Sequence, residues 1–207
     1  RTRMNINKHL ILLFSVLFFL FAVSVSSGCF RKNESDVKSV VRNELDQLKN
    51  LDSETSQKYI PYTELFPDAT ENTDLTDEIN KTFSLFFRKF NYKISDVIVG
   101  TANHSATVSV KLTTIDSKVL ARDFKAKLLR TQITESAQAQ KGNIKDSSRS
   151  LEAHYLILNH LLNTNDYDTA ETDCNIQLVN TGNDKKEKWK IQRTNSLEDD
   201  LVGGLIA

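Results

Sequence analysis

Two cysteines, four histidines and a run of acids are the residues from which chemistry could be built in this 207-residue chain. Cys29 closes the small-residue segment Ser26–Ser27–Gly28–Cys29, directly after the apolar run Leu10–Val25. A thiol there is positioned for processing and acylation. Cys174 alternates with Ile176 and Leu178, which puts all three on one strand face and makes it a small buried hydrophobe, with no base in its neighbourhood to activate it. His154 and His160 lie six apart on one helical segment, so they point about 120° away from each other and cannot share a metal as an i,i+4 pair would. His104 falls in a turn and reads as surface. No metal site and no cofactor are expected.

Between Lys58 and Lys81 no basic residue occurs, while Glu64, Asp68, Glu71, Asp74, Asp77 and Glu78 do. Clustered oxygens are what calcium wants, but the spacing does not follow a calcium loop and the stretch has no glycine, so a solvated acidic loop is the better expectation. Lys118, Arg122 and Lys125 share one side of a helix and could meet anionic lipid headgroups; a merely solvated face is the plainer reading.

These groups must be positioned by the rest of the chain. Lys8, an apolar core of sixteen residues and small residues at its exit describe a secretory leader, too short as a helix to span a bilayer comfortably (about 24 Å against ~30 Å); an uncleaved anchor is the alternative. Met4 is the expected start of translation. The expected organisation is a leader over 1–28, a lipidated cysteine and tether over 29–34, and one domain over 35–207. The leader holds Arg1, Arg3 and Lys8 and no acid, leaving 24 basic against 27 acidic residues, a balance that speaks against nucleic-acid binding. With Cys29 acylated, Cys174 has no partner for a disulfide, so the domain must rest on its core.

Helical spacing of Val37, Val41, Leu45 and Leu48 predicts a first helix capped by Ser35; a short second one covers Ser53–Ile60 and stops at Pro61. Leu75–Phe90 presents Ile79, Phe83, Phe86, Phe87 and Phe90 as an aromatic core face. Tyr92–Val99 and the alternating Ala106, Val108, Val110, Leu112 form a hairpin through Gly100–His104. Asp116 caps a helix over Ser117–Ala137 with Leu120, Phe124 and Leu128 on one face; Gln138–Ser148 is a loop, and Ser150–Leu162 is apolar nearly all round and should be buried. Thr172–Val179 and Glu187–Arg193 make a second hairpin with Trp189 and Ile191 inward, and Ser196–Ala207 opens as a short helix ending near Gly203–Gly204. Four antiparallel strands with one buried face need helices across it: an α+β domain with a curved four-stranded sheet.

The segment ending at Cys29 resembles the lipobox of bacterial lipoproteins, with Ser26 where that family usually has leucine. Together with the helix pair after it, Leu112-Thr113-Thr114-Ile115-Asp116, Trp189-Lys190-Ile191 and Leu201-Val202-Gly203-Gly204-Leu205, it resembles uncharacterised lipoproteins of Gram-positive bacteria assigned to the cystatin-like, nuclear-transport-factor-2-like superfamily. That resemblance implies a curved sheet around a cone-shaped pocket and a diacylglyceryl thioether on Cys29. It also implies a location on the outer face of the cytoplasmic membrane, with the membrane itself as a partner. The expected function is a lipid-anchored extracytoplasmic binding or interaction domain for a small molecule, peptide or envelope protein. Val108, Val110, Leu112, Cys174, Ile176 and Trp189 are the candidate pocket lining. The alternative is an acid–base enzyme in the cone, as in ketosteroid isomerase and scytalone dehydratase, but the inward strand positions hold no carboxylate or histidine.

Overall fold

The structure, a computed structural model, describes residues 33–60, 62, 65–66, 75–100, 102, 104–141, 149–183, 186–202 and 205. The leader, Cys29, Pro61, most of the acidic stretch and the loop 142–148 lie outside the described residues.

Helix α1 runs through residues 33–49 and buries Val37, Val41, Leu45 and Leu48 at the expected spacing. Ser35 is not its cap. Asn33 and Glu34 are already helical, and Glu34 and Asp36 suit an early helical turn. The helix ends in a Schellman arrangement, with Leu51 N–H donating to the Leu48 carbonyl and Asp52 N–H to the Gln47 carbonyl. Leu51 takes the left-handed conformation (φ 62°) that glycine usually supplies there. Asp52 then caps α2 (Ser53–Tyr59) by accepting from Thr55 N–H. That hydrogen bond holds the Asp52 carboxyl below its ordinary pKa.

Helix α3 (Thr76–Phe86) passes into a single 3-10 turn (Phe87–Lys89), and the predicted aromatic face is core: Phe83, Phe86, Phe87 and Phe90 are buried in edge-on and tilted contacts. Strands β1 (Asn91–Val99) and β2 (Ser105–Ile115) form the hairpin. A bulge at Ser95 sets two residues of β1 against Ser109, which carries Val97 back to the inner face after Tyr92 and Ile94. Helix α4 (Ser117–Ala139) starts at Asp116 as expected and runs two residues further than predicted. Helix α5 (Leu151–Thr164) is capped by Ser150 and buries eight of its residues. Strand β3 (Thr169–Asn180), strand β4 (Trp189–Ile191) and helix α6 (Asn195–Val202) complete the chain.

The sheet is antiparallel, curved and open, in the order β1-β2-β3-β4, so the fold is α+β with helices packed on the sheet. Ala106, Val108, Val110 and Leu112 stand opposite Leu178, Ile176, Cys174 and Thr172. Only Thr172 of these is not buried. On the other face Lys111 reaches Glu171 (3.6 Å) and Asp173 (3.2 Å), an exposed cross-strand trio of the sort that alternation predicts. One apolar cluster spans the described residues from Val37 to Val202. Among these residues no helix is long and apolar enough to cross a membrane.

Candidate functional site

The strand order leaves β4 at one edge of the sheet. Thr181 N–H donates to the Lys188 carbonyl and Gln192 N–H to the Gln177 carbonyl, with Val179 opposite Lys190 between them. Main-chain groups alternate sides along an antiparallel strand, so those of Trp189 and Ile191 turn away from β3 toward the open edge. The strand is set there by a tight turn. Asn180 Oδ1 accepts from both Gly182 N–H (2.9 Å) and Lys188 N–H (3.0 Å), and a side chain at Gly182 would collide with the main chain of Lys186 and Lys188.

Against that edge lies a groove of about 500 Å³, walled by Val40 and Glu44 of α1, Lys58 and Tyr59 of α2, and Thr181 with residues 188–191. The size is that of a ligand site. Glu44 is already engaged: its Oε2 accepts from Lys58 Nζ at 2.8 Å and from the Tyr59 hydroxyl at 2.6 Å. Burial first, then the bond to Glu44 and its charge, drives the Tyr59 phenol far above its ordinary pKa, so it stays a donor. Lys188 and Lys190 are exposed and form no ion pair among the described residues. Among the described residues, the groove therefore offers two uncommitted cations, an apolar wall and unpaired strand groups. That combination has the charge and shape to suit an anionic, extended molecule.

A second cavity of about 330 Å³ separates α3 from α5, lined by Asp77, Glu78, Lys81, Leu156, Asn159, His160 and Asn163. Its floor is satisfied. Asn159 accepts from Thr82 Oγ1 (2.6 Å) and donates to the Glu78 carbonyl (3.2 Å). His160 lies exposed in this cleft, whereas His154 is buried on the other side of α5, its Nδ1 2.8 Å from the Ser150 carbonyl and its ring against Phe66 and Phe124. The two histidines do not converge, and no cluster suited to a metal ion exists among the described residues.

No protein-family model matches the chain, and neither a curated protein nor a solved structure matches it.

Of the residues expected to line a pocket, Val108, Val110, Leu112, Cys174 and Ile176 are each 2 % exposed or less and pack in the core, and neither described cavity reaches them. Of the six, Trp189 lines a described cavity, and it does so from the strand edge. Its ring is 7 % exposed and its Nε1–H donates to Glu187 (3.2 Å). Cys29 lies outside the described residues.

Sequence reasoning found no carboxylate on the inner strand positions, and none is there, but α6 brings one in. Asp200 hydrogen-bonds the Cys174 thiol. Burial, the Asp200 charge and that bond push the thiol up to about 12, and burial raises the Asp200 carboxyl above its ordinary value. Such a thiol is inert. Nothing in strand periodicity announces a carboxylate delivered from a helix 26 residues later. The walls contributed by Glu44, Lys58 and Tyr59 were missed for the same reason: their nearness to β4 is tertiary.

Proposed function

We propose that this chain is a lipid-anchored binding domain on the outer face of a bacterial cytoplasmic membrane, held through a diacylglyceryl thioether on Cys29. Its ligand is an extended acidic peptide segment that adds to the free edge of β4. The same proposal places the domain in the cystatin-like superfamily. The observation that carries the ligand is the open edge at Trp189 and Ile191 beside Lys188 and Lys190. Strand addition supplies main-chain hydrogen bonds, and side chains of the added strand fall alternately on the two sheet faces. On the outer face they would meet the lysines and on the other the groove, so the preferred segment alternates acidic and apolar residues. With three residues in β4, few main-chain bonds are on offer, and charge must supply much of the selectivity.

Two measurements test it. A six-residue peptide alternating valine and glutamate should alter the emission of Trp189, the single tryptophan, while its lysine counterpart should not. Lys188→Glu with Lys190→Glu should abolish the response; an unchanged response would end the peptide reading. Separately, Cys29→Ala should release the protein from membranes or leave an unprocessed precursor. A variant that fractionates and migrates like the parent would remove lipidation and favour the uncleaved anchor.

A further inference from the structure

Helix α4 has 23 residues, yet its last fully buried side chain is Phe124. The following residues 125–139, about 22 Å of helix, bury none of theirs fully. This half is not uniformly polar. Leu129 is 56 % exposed and Ile133 61 %, and Ala126 and Ala137 are exposed with them. At 3.6 residues per turn the four fall within an arc of about 80°, directly opposite the face made by Leu120, Phe124 and Leu128. The apolar ridge thus faces away from the core.

Cations flank it on both sides. Lys118 and Lys125 lie along one flank and Lys127 and Arg130 along the other, Arg122 falls within the arc two turns before Leu129, and all five are exposed. The only acid among residues 117–134 is Asp123, which already accepts from Arg122 (3.1 Å) and from the Tyr167 hydroxyl (3.1 Å). Lys118, Lys125, Lys127 and Arg130 form no ion pair among the described residues. In a chain whose basic and acidic residues number 27 each, this helix carries a local excess of positive charge.

We propose that the outward face of α4 docks on an anionic phospholipid surface, with Leu129 and Ile133 seated at the headgroup boundary and the flanking cations on lipid phosphates. A ridge with long cations on both sides is the form an interfacial helix takes, because Lys and Arg reach outward while their stems stay over apolar surface. A second copy of the chain is disfavoured, since two such faces would bring like charges together. Neither described cavity reaches this face, and a helix ridge is convex, a shape that a protein partner would have to match and a bilayer need not. This surface uses neither β4 nor Cys29, so it stands or falls apart from the peptide site and from lipidation.

The test uses the full chain with Cys29→Ser and Ile133→Cys, labelled at position 133 with an environment-sensitive dye; Cys174, 2 % exposed, stays unlabelled. The labelled protein is mixed with vesicles of phosphatidylcholine alone or of phosphatidylcholine with phosphatidylglycerol. Emission should shift to the blue on the phosphatidylglycerol vesicles only. High salt should reverse the shift, as screening predicts for exposed charges. Lys125→Glu with Arg130→Glu should weaken it at least tenfold in lipid titration. A dye at Asn175→Cys, on the exposed face of β3, should not respond. An unshifted position 133, an equal shift on uncharged vesicles, or an equal shift at position 175 would each overturn the proposal, the last two by showing that the leader or a general adhesion brings the chain to lipid.

Discussion

The hydroxyl of Tyr155, on α5, donates to the main-chain carbonyl of Tyr62, 93 residues earlier in the chain. Both residues are buried, and the Tyr62 hydroxyl sits 2.5 Å from Ser56 Oγ, so a short hydrogen-bonded line joins α5 to α2 through the core. Burial drives both phenols well above their ordinary pKa, which keeps them neutral. Tyr155→Phe keeps the ring contacts with Tyr62 and Phe66 but strands the carbonyl. We expect a loss of roughly 1–3 kcal/mol in urea denaturation, the usual penalty for an orphaned buried acceptor. A loss near zero would show that another donor replaces the hydroxyl.

Strand register can be tested with adjacent residues. Val110 is 2 % exposed and stands opposite Cys174, whereas Lys111 faces out over Glu171 and Asp173. Val110→Asp should prevent folding, because an unpaired carboxylate would be buried. Lys111→Ala should change the melting temperature little, since exposed ion pairs contribute at most ~1 kcal/mol. The opposite order of effects would put the strand one residue out of register.

Most of the architecture was legible because the apolar periods are strong: Val37–Leu48 at helical spacing, Ala106–Leu112 and Cys174–Leu178 at period two. What escaped was local or tertiary. Ser35 looks like a cap by type, but helix continues before it. The bulge at Ser95 shows in the sequence only as the broken alternation of Ile94-Ser95-Asp96-Val97. Strand β4 was expected over Glu187–Arg193 and is three residues long. Alternation of Trp189 and Ile191 gives their inward side but not how far β3 stays in pairing distance. The groove was unreadable for a plainer reason. It needs Glu44 and Tyr59 beside residues 188–191, and no spacing encodes that packing.

Thr114 is 2 % exposed, and its hydroxyl is the buried side-chain polar atom that lacks a hydrogen-bond partner among the described residues. Valine has nearly the same shape without the hydroxyl to desolvate. Thr114→Val should therefore raise stability, by about 1 kcal/mol, in chemical denaturation. A destabilised variant would mean the hydroxyl is satisfied in solution by bound water.

The Asp200 carboxyl gives a pH signature. Its folded pKa is raised above the ordinary 3.8, chiefly by burial and then by Asp199, against the opposing bond from Cys174. A raised acid is protonated in both states below 3.8, where it has no differential effect; above 3.8 the unfolded chain ionises first, so the opposition to folding grows until pH passes the folded value and stays in full beyond it. The position near the end of α6 adds to this, because the helix dipole disfavours a carboxylate there. Asp200→Asn should thus raise the melting temperature at pH 7 and leave it nearly unchanged at pH 3. A variant less stable at pH 7 would show that the ionised carboxylate's bond to the thiol outweighs its burial.

Trp189 belongs to the core by burial and to the groove by position, and the two roles separate experimentally. Its ring is 7 % exposed, so the emission of the chain's single tryptophan should be blue-shifted and poorly quenched by acrylamide. Trp189→Ala should lose about 3–5 kcal/mol, as large buried aromatics do, while Trp189→Phe should retain most of that. Lys188→Glu with Lys190→Glu changes only exposed side chains and should leave both melting temperature and resting emission as they are, while removing the response to the acidic peptide. Red-shifted, strongly quenched emission from a folded chain would place the ring in solvent. The strand edge would then be wetter than the burial of Trp189 and Ile191 allows.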